Sequence, residues 1–516
     1  MNRVKNATRN IIWGIVNKVV ILMLPFITRT LFIYTLGTLY LGLNGLFTSI
    51  LQVLNISELG INSAITFSMY KPLAEGNTKQ VNELLSFYRL CYRIVGFVIL
   101  GIGLCLIPFL PNLISGKIPS DINIYILYLI YILGTFFTYE LFAYRMALLT
   151  AIQRNDIISK IGMFWSFIQF LLQVIILFYF KNYYLYVIIS NLTPIFNNLT
   201  CAYICKRKYK NYKPIGNINK ETLCEIRKKV QGMIFQKIGG VVLTSVDSIV
   251  ISSFLGLQTL AMYQNYYFVI TSLFSILAVI MSSITAIVGN SIVLESKKKN
   301  YLDFTKFNFL YVWISGWFSV CILCMYQTFI ELWVGEELLF PYYMVVLFSL
   351  YFFIHKWCDM LYIYQDACGI WWESRWVPII ATIINLILNI TLVNIIGLAG
   401  ILISTIISVA FIYDIGYAKV LFNVYFEKEL LYKFLYKQLF YLLSICISAL
   451  ITILVCSGLN LSNLWIKFIL NGLVCTLLPN SILILLWRKL PEFSISKQFV
   501  LEIFKKKLGL SNKIWR

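Results

Sequence analysis

The sequence predicts an all-α polytopic membrane protein of about fourteen transmembrane helices, and three observations carry that prediction. Of 516 residues, 60% are hydrophobic and 13% charged, with mean hydropathy +0.80. A soluble chain carries roughly a quarter of its residues as charges. Apolar runs of about 20 residues recur from end to end, each long enough to cross a hydrocarbon core of about 30 Å. Lys and Arg are dense in alternate loops and nearly absent from the others. The runs are continuously apolar rather than alternating, which excludes a β-barrel. The formal charge of +21 sits between apolar runs and not on a soluble face, so it reads as topology and not as nucleic-acid binding.

The spans fall at about 11–36, 42–70, 84–110, 122–151, 157–180 and 183–205. After a basic loop they continue at about 230–255, 260–292, 305–332, 341–367, 373–394, 397–422, 434–457 and 464–488. That loop, Lys206 to Lys229, is the longest polar stretch, and it is too short to hold a core of its own. Loops on one side carry little beyond Lys117, Lys181 and Lys467. The other side carries Arg3, Lys5, Arg9, Lys71, Lys79, Arg145, Arg154, Lys160, the 206–229 cluster, Lys297–Lys299, Arg375, Lys428, Lys433 and the basic tail. This asymmetry places both termini in the cytoplasm of a bacterial plasma membrane. The bacterial source rests on an AT-rich-looking composition, with Ile, Asn, Lys, Tyr and Phe all abundant. The start resembles a signal peptide, but Lys18 interrupts the apolar run and no small-residue cleavage site follows, so it reads as an uncleaved first helix. In the tail, Ile495, Phe499, Ile503 and Phe504 recur at helical spacing opposite Lys497, Lys505, Lys506 and Lys507, the pattern of an amphipathic helix on an anionic leaflet. Tyr183, Tyr184 and Trp333 read as anchors at the outer interface, and Trp371, Trp372 and Trp376 as anchors at the inner one.

An internal repeat is visible at a shift of 219 residues. Lys18 then falls on Lys237, Arg9 on Lys228, and Leu36-Gly37 on Leu255-Gly256. Both copies start on the same side, so the repeat is parallel. Repeats with a ligand site at their interface are a common transporter plan.

Four stretches carry a family resemblance. Thr28 to Asn77, "TRTLFIYTLGTLYLGLNGLFTSILQVLNISELGINSAITFSMYKPLAEGN", resembles the opening of Wzx-like polysaccharide flippases, Gram-positive capsule and exopolysaccharide members above all. These belong to the MATE/oligosaccharidyl-lipid/polysaccharide (MOP) exporter superfamily. Thr244 to Leu277, Glu331 to Glu337 ("ELWVGEE") and Asp366 to Asn389 are similar to later helices of the same family. The resemblance implies a six-helix bundle at 1–205, a cytoplasmic linker at 206–229, a second six-helix bundle at 230–423 around a shared central cavity, two added helices at 424–490 and a tail at 491–516. It implies the transfer of an undecaprenyl-diphosphate-linked oligosaccharide between leaflets, with no cofactor. The partners it implies are the lipid-linked sugar, membrane lipids, a coupling Na+ or H+ and the polymerase machinery, for a chain expected to act as a monomer.

Ionisable groups inside spans are few, and each costs about 2.5–3.5 kcal/mol to insert, so they normally face protein or water. Lys18 and Arg29 lie on the first span, Glu58 on the second, and Arg89 and Arg93 on the third. Glu140 is on the fourth, Lys237 and Asp247 on the seventh, and Lys356 and Asp359 on the tenth. Lys18 and Lys237 sit roughly 12 Å from the cytoplasmic helix ends, and Arg29 about 16 Å higher than Lys18. Arg89 and Arg93 are four apart and share a face near the inner mouth. Arg29, Arg93, Lys237 and Lys356, with Lys18 and Arg89, form the expected path for the lipid diphosphate, because Arg forks match phosphate oxygens. The plainer readings stand beside this one. In them Lys18 and Arg89 only snorkel to headgroups, Lys356 and Asp359 only neutralise each other, and Glu58 and Glu140 are structural partners of Arg89 and Arg93. Arg29 and Arg93 stand out because neither has an obvious partner nearby. Asp247, in mid-span beside Thr244, Ser245 and Ser248, is the first candidate to bind a coupling ion, and Asp359 the second.

Other chemistry is scarce. No nucleophile–base set and no phosphate-binding Gly-Lys loop is visible, and the chain reads as a transporter and not an enzyme. A polymerase or lipid-linked glycosyltransferase would place its catalytic residues on a sizeable outer loop, and here those loops are about a dozen residues. A MATE multidrug or cation antiporter would want an acidic cavity, against the excess of intramembrane cations. A lipid II flippase differs from the first reading only through family resemblance. No metal site is expected, because His355 is the single histidine. The pair Cys321 and Cys324 inside an apolar span reads as coincidence rather than redox chemistry.

Overall fold

The computed structural model describes the backbone of residues 3–55, 61–459 and 461–507. Side chains are described over the same ranges except at 3–12, 15, 19, 63, 225, 228–233, 236, 237, 244, 283, 286 and 503–507. Among the described residues there is no strand. The chain groups into two compact units, Met1–Gln264 and Asn265–Arg516.

The first unit runs α1 (Arg3–Thr35), α2 (Thr38–Leu54), α3 (Ile61–Ala74), α4 (Thr78–Leu106), α5 (Ile124–Glu140), α6 (Tyr144–Ala151), α7 (Asn155–Ile175), α8 (Tyr183–Lys208) and the opening part of α9 (Lys220–Leu294). Within it α1 packs on α7, α4 on α5, and α8 on both α5 and α7. Short polar residues start the helices where orphan N–H groups would otherwise meet lipid. Asn77 accepts from Gln80 N at 3.0 Å, Asn123 from Tyr125 N at 3.0 Å and Asn182 from Leu185 N at 3.1 Å. α5 and α6 form one bent span, turned by 48° where Phe142 takes φ 62°.

The second unit contains the remainder of α9, then α10 (Lys297–Val334), α11 (Tyr342–Trp357), α12 (Asp359–Cys368), α13 (Trp376–Ile396), α14 (Leu398–Ile407), α15 (Ile415–Val424), α16 (Lys428–Gly458), α17 (Leu464–Trp487) and α18 (Pro491–Lys507). α10 is its centre and packs on α11, α16, α17 and α18. A π-helical turn, Ser408–Asp414, joins α14 to α15.

Gly37 and Gly256, which the repeat sets on each other, have the same backbone. Gly37 has φ 98° and ψ 175°, and Gly256, which splits α9 into two arms, has φ 85° and ψ 172°. This region is open essentially to glycine alone. The helix after each break is seated differently. On α2, a Cβ added to Gly42 would stand 2.2 Å from the carbonyl oxygen of Leu257, so only glycine allows that backbone approach.

Ten helices among the described residues are long and apolar enough to cross a membrane, or eleven if α5 and α6 count as one span. The expected number of fourteen is not reached by this measure. α2 has only 17 residues, α8 is diluted by residues such as Asn191, Pro194 and Asn198, and the two arms of α9 are joined into one long helix. Two expectations about the aromatics are corrected. Tyr183 is buried at 2% exposure and Trp333 at 7%. Tyr183 is hydrogen-bonded to Tyr131 at 3.1 Å, so both rings serve packing rather than an interface. Trp372 and Trp376 are exposed, as expected. The tail is helical, but Phe493 stacks on Trp313 and Phe499 meets Phe307 edge-on. Its aromatic face is therefore docked on α10, where burial of ring area holds it.

Candidate functional site

Two cavities flank α4 in the first unit. Arg89 and Arg93 lie one turn apart on that helix and are both exposed. With Ser86, Phe87, Leu90 and the loop 216–218 they border a cavity of about 400 Å³. Arg93 Nε sits 2.9 Å from Glu140 Oε1 at the end of α5. Of the two sequence readings, the one that makes Glu140 a structural partner of Arg93 is met and the one that leaves Arg93 without a nearby partner is not, because α4 packs along α5. One of the two positive charges is balanced, and Arg89 adds the other. The second cavity is about 640 Å³, and among the described residues none in its wall is charged. Tyr88 and Tyr92 face it from the neighbouring stripe of α4, with Asn55, Thr138, Tyr139 and Asn198 among the other groups. Part of that wall is fixed by hydrogen bonds. Asn198 Nδ2 donates to Thr138 O at 2.9 Å, Tyr139 OH to Asn55 Oδ1 at 3.2 Å, and Tyr88 OH to Tyr92 OH at 2.8 Å. Neutral amides, hydroxyls and ring faces suit an uncharged, hydroxyl-rich ligand. Sequence reasoning missed this wall because it looked for charges; the signal was the amide and hydroxyl residues inside otherwise apolar spans.

The remaining candidates of the first unit are scattered. Lys18 is exposed on α1. Arg29 is half-buried, beside the buried Thr28, and is close enough to Tyr186 of α8 to interact electrostatically. Asp247 is fully buried. Its neighbours are tied down, with Ser245 Oγ donating to Gln52 Oε1 at 3.0 Å and Gln264 Nε2 donating to Ser248 Oγ at 3.0 Å. A carboxylate in such a place needs a counter-charge, a proton or a bound ion. Glu58 and the side chains of Lys237 and Thr244 lie outside the described residues.

The second unit holds a denser polar cluster at the break between α11 and α12. Lys356 Nζ is 2.8 Å from Asp359 Oδ2, and Tyr311 OH donates to the same oxygen at 2.7 Å. Beside them, Trp357 Nε1 donates to Asp414 Oδ2 at 2.7 Å and Tyr362 OH to Asp414 Oδ1. Asp414 was not among the sequence candidates, although it is the one acidic residue between 397 and 422. Lys356 also lies 4.7 Å from the centre of the Phe274 ring, so its ammonium is held between a carboxylate and a π face.

The fold is similar to those of solved membrane transporters, some of them described as MOP superfamily members. It is similar to the lipid II flippase MurJ in an inward closed conformation, with TM-score 0.65 and 15% identity over 93% of this chain and 99% of that one. It is also similar to a multidrug resistance MATE family transporter in an inward-facing conformation, with TM-score 0.63 and 14% identity over 81% and 99%. A MOP superfamily transporter from Pyrococcus furiosus gives TM-score 0.56 and 12% identity over 83% and 96%. Residues 7–286 match the family described as polysaccharide biosynthesis protein, and the chain belongs to that family. No curated protein matches the chain.

Proposed function

We propose that this chain moves a polyprenyl-diphosphate-linked oligosaccharide, with undecaprenyl as the lipid, from the inner to the outer leaflet of a bacterial cytoplasmic membrane. Movement is by alternating access, and both termini are cytoplasmic. Family membership over residues 7–286 supports this reading, but the observation that carries it is the pair of cavities on α4. One is bordered by Arg89 and Arg93, and the other is walled by neutral amides, hydroxyls and tyrosines. A lipid-linked sugar diphosphate presents the two matching chemistries, a compact anion and a hydroxyl-rich neutral body. Arg29, Lys237, Lys356 and Lys18 extend the positive path at other depths, because a single cation would trap the anion rather than pass it on. An ion gradient drives the cycle through Asp247. Asp247 comes first for its mid-span place beside Ser245 and Ser248, and Asp359 is second.

The test is flipping of a polyprenyl-diphosphate sugar by purified protein in vesicles. Loss of one charge-assisted contact costs about 1.5–3 kcal/mol, or roughly ten- to a hundredfold in affinity. Arg29→Ala and Arg93→Ala are expected to cut flipping on that scale while the protein still inserts. Wild-type flipping in the double variant would remove the basic path and reopen export of organic cations. For coupling, Asp247→Asn is expected to abolish gradient-driven accumulation and leave substrate binding intact. Unchanged transport across pH and sodium concentration would exclude Asp247.

A further inference from the structure

Three cysteines from three helices converge inside the second unit. Cys324 lies on α10, Cys456 near the end of α16 and Cys475 in the middle of α17, and their Sγ atoms all lie within 4.8 Å of one another. All three are free thiols; Cys456 and Cys475 are buried and Cys324 is half-buried. Trp317 Nε1, from α10, donates to the carbonyl oxygen of Cys475 at 2.9 Å. Cys321, one turn before Cys324, points its thiol at the same oxygen from 4.0 Å. The backbone of α17 is thereby pinned at the residue whose side chain enters the group. We propose that Cys324, Cys456 and Cys475 form a binding site for a soft monovalent cation, copper(I).

Geometry and donor chemistry both favour this ion. A metal–thiolate bond is about 2.3 Å, so three sulfurs around one ion in a trigonal plane stand about 4 Å apart. The observed spacing requires the sulfurs to close by less than about 1 Å, within the reach of small rotamer adjustments. Three sulfur donors with no carboxylate or imidazole in the group are the wrong chemistry for Mg²⁺, Ca²⁺ or Mn²⁺ and the right one for copper(I). Structural zinc takes four protein ligands around one ion; among the described residues three sulfurs lie within 4.8 Å of one another, with Cys321 reaching Cys475 from outside that group. Each sulfur that coordinates does so as a thiolate and gives its proton to water; no electron moves. Cys456 stands two residues before the end of α16 at Gly458. Once bound, the ion would tie α10 to the hairpin of α16 and α17, the two helices added after the second six-span segment.

The experiment loads the purified full-length chain with copper(I) anaerobically, in competition with a chromogenic copper(I) chelator. The expected result is one copper per chain retained and a sulfur-only shell in X-ray absorption. Cys456→Ser and Cys475→Ser should each weaken retention at least tenfold, while Cys446→Ser, an exposed cysteine of α16, leaves it unchanged. Thermal unfolding of the metal-free variants checks that they fold, and Cys324→Ala provides a second, smaller truncation. Copper held equally by the triple serine variant would overturn the assignment. So would stoichiometric zinc in place of copper, or a Cys456–Cys475 disulfide in the protein as isolated.

Discussion

In Met1–Gln264 neutral polar groups of the spans, hydrogen-bonded in pairs, line open volume, whereas in Asn265–Arg516 buried carboxylates are held by the donors around them. Asn55, Thr138, Tyr139 and Asn198 border a cavity of about 640 Å³. Asp359 and Asp414 instead have their oxygens taken by Lys356, Tyr311, Trp357 and Tyr362. A buried carboxylate left without partners is unaffordable in an apolar medium, so charge is retained only as a satisfied network. Neutral amides cost less, and they can stay available to a ligand. The difference separates a region suited to binding from a region suited to storing charge.

The largest expected effect tests the storing side. Asp414→Ala orphans two donors, each costing about 1–3 kcal/mol when buried. The purified protein should lose several degrees of apparent Tm, and Asp414→Asn, which keeps one acceptor, should lose less. An unchanged Tm in Asp414→Ala would show that the cluster does not hold this unit together, and the contrast would fail. The two glycine breaks give an intermediate effect and a sharper comparison, because their backbone angles match and their surroundings do not. Gly37→Ala meets open space, while a Cβ on Gly256 would stand 2.8 Å from Ser115 O. Both variants carry strain of about 1–3 kcal/mol from the φ region alone. Gly256→Ala should be the less stable, and equal stabilities would mean that the Ser115 contact yields freely. The smallest effect is on the binding side. The Arg93–Glu140 pair is partly exposed, at 46% and 25%, and such pairs contribute about 0–1 kcal/mol. Glu140→Gln should therefore leave Tm almost unmoved while altering the salt dependence of flipping, and a large drop in Tm would reassign the pair to structure.

What the sequence makes legible follows from the range of each interaction. Apolar runs, caps and loop charges are local, and they place the helices well. The repeat offset of 219 positions paired Gly37 with Gly256, and their common backbone became visible only in the structure. Arg93 with Glu140 was not resolved, since partners on different helices depend on how those helices pack. The cysteines show the same limit. Cys321 and Cys324 invite notice as a spaced pair, yet the group that forms takes only Cys324 from it and adds Cys456 and Cys475. Tyr183 and Trp333 were misplaced because an aromatic near a span end fits an interface or a core equally well until its neighbours are known. Asp414 had a readable signal, an acidic residue in an apolar span, and went unused.

The π-helical turn at Ser408–Asp414 has a consequence for how this part of the chain tolerates insertions and deletions. Its i→i+5 bonding absorbs one residue more than an α-helix would hold in the same turn. Deleting a single residue between 408 and 413 would let α14 run into α15 as one regular helix, so local geometry would improve. Because the extra residue is taken up within the turn, the helix on either side would keep its facing, and Asp414 would stay beside Trp357 and Tyr362. A relative one residue shorter here can therefore keep the acid, with a plain α-helix in place of the π turn.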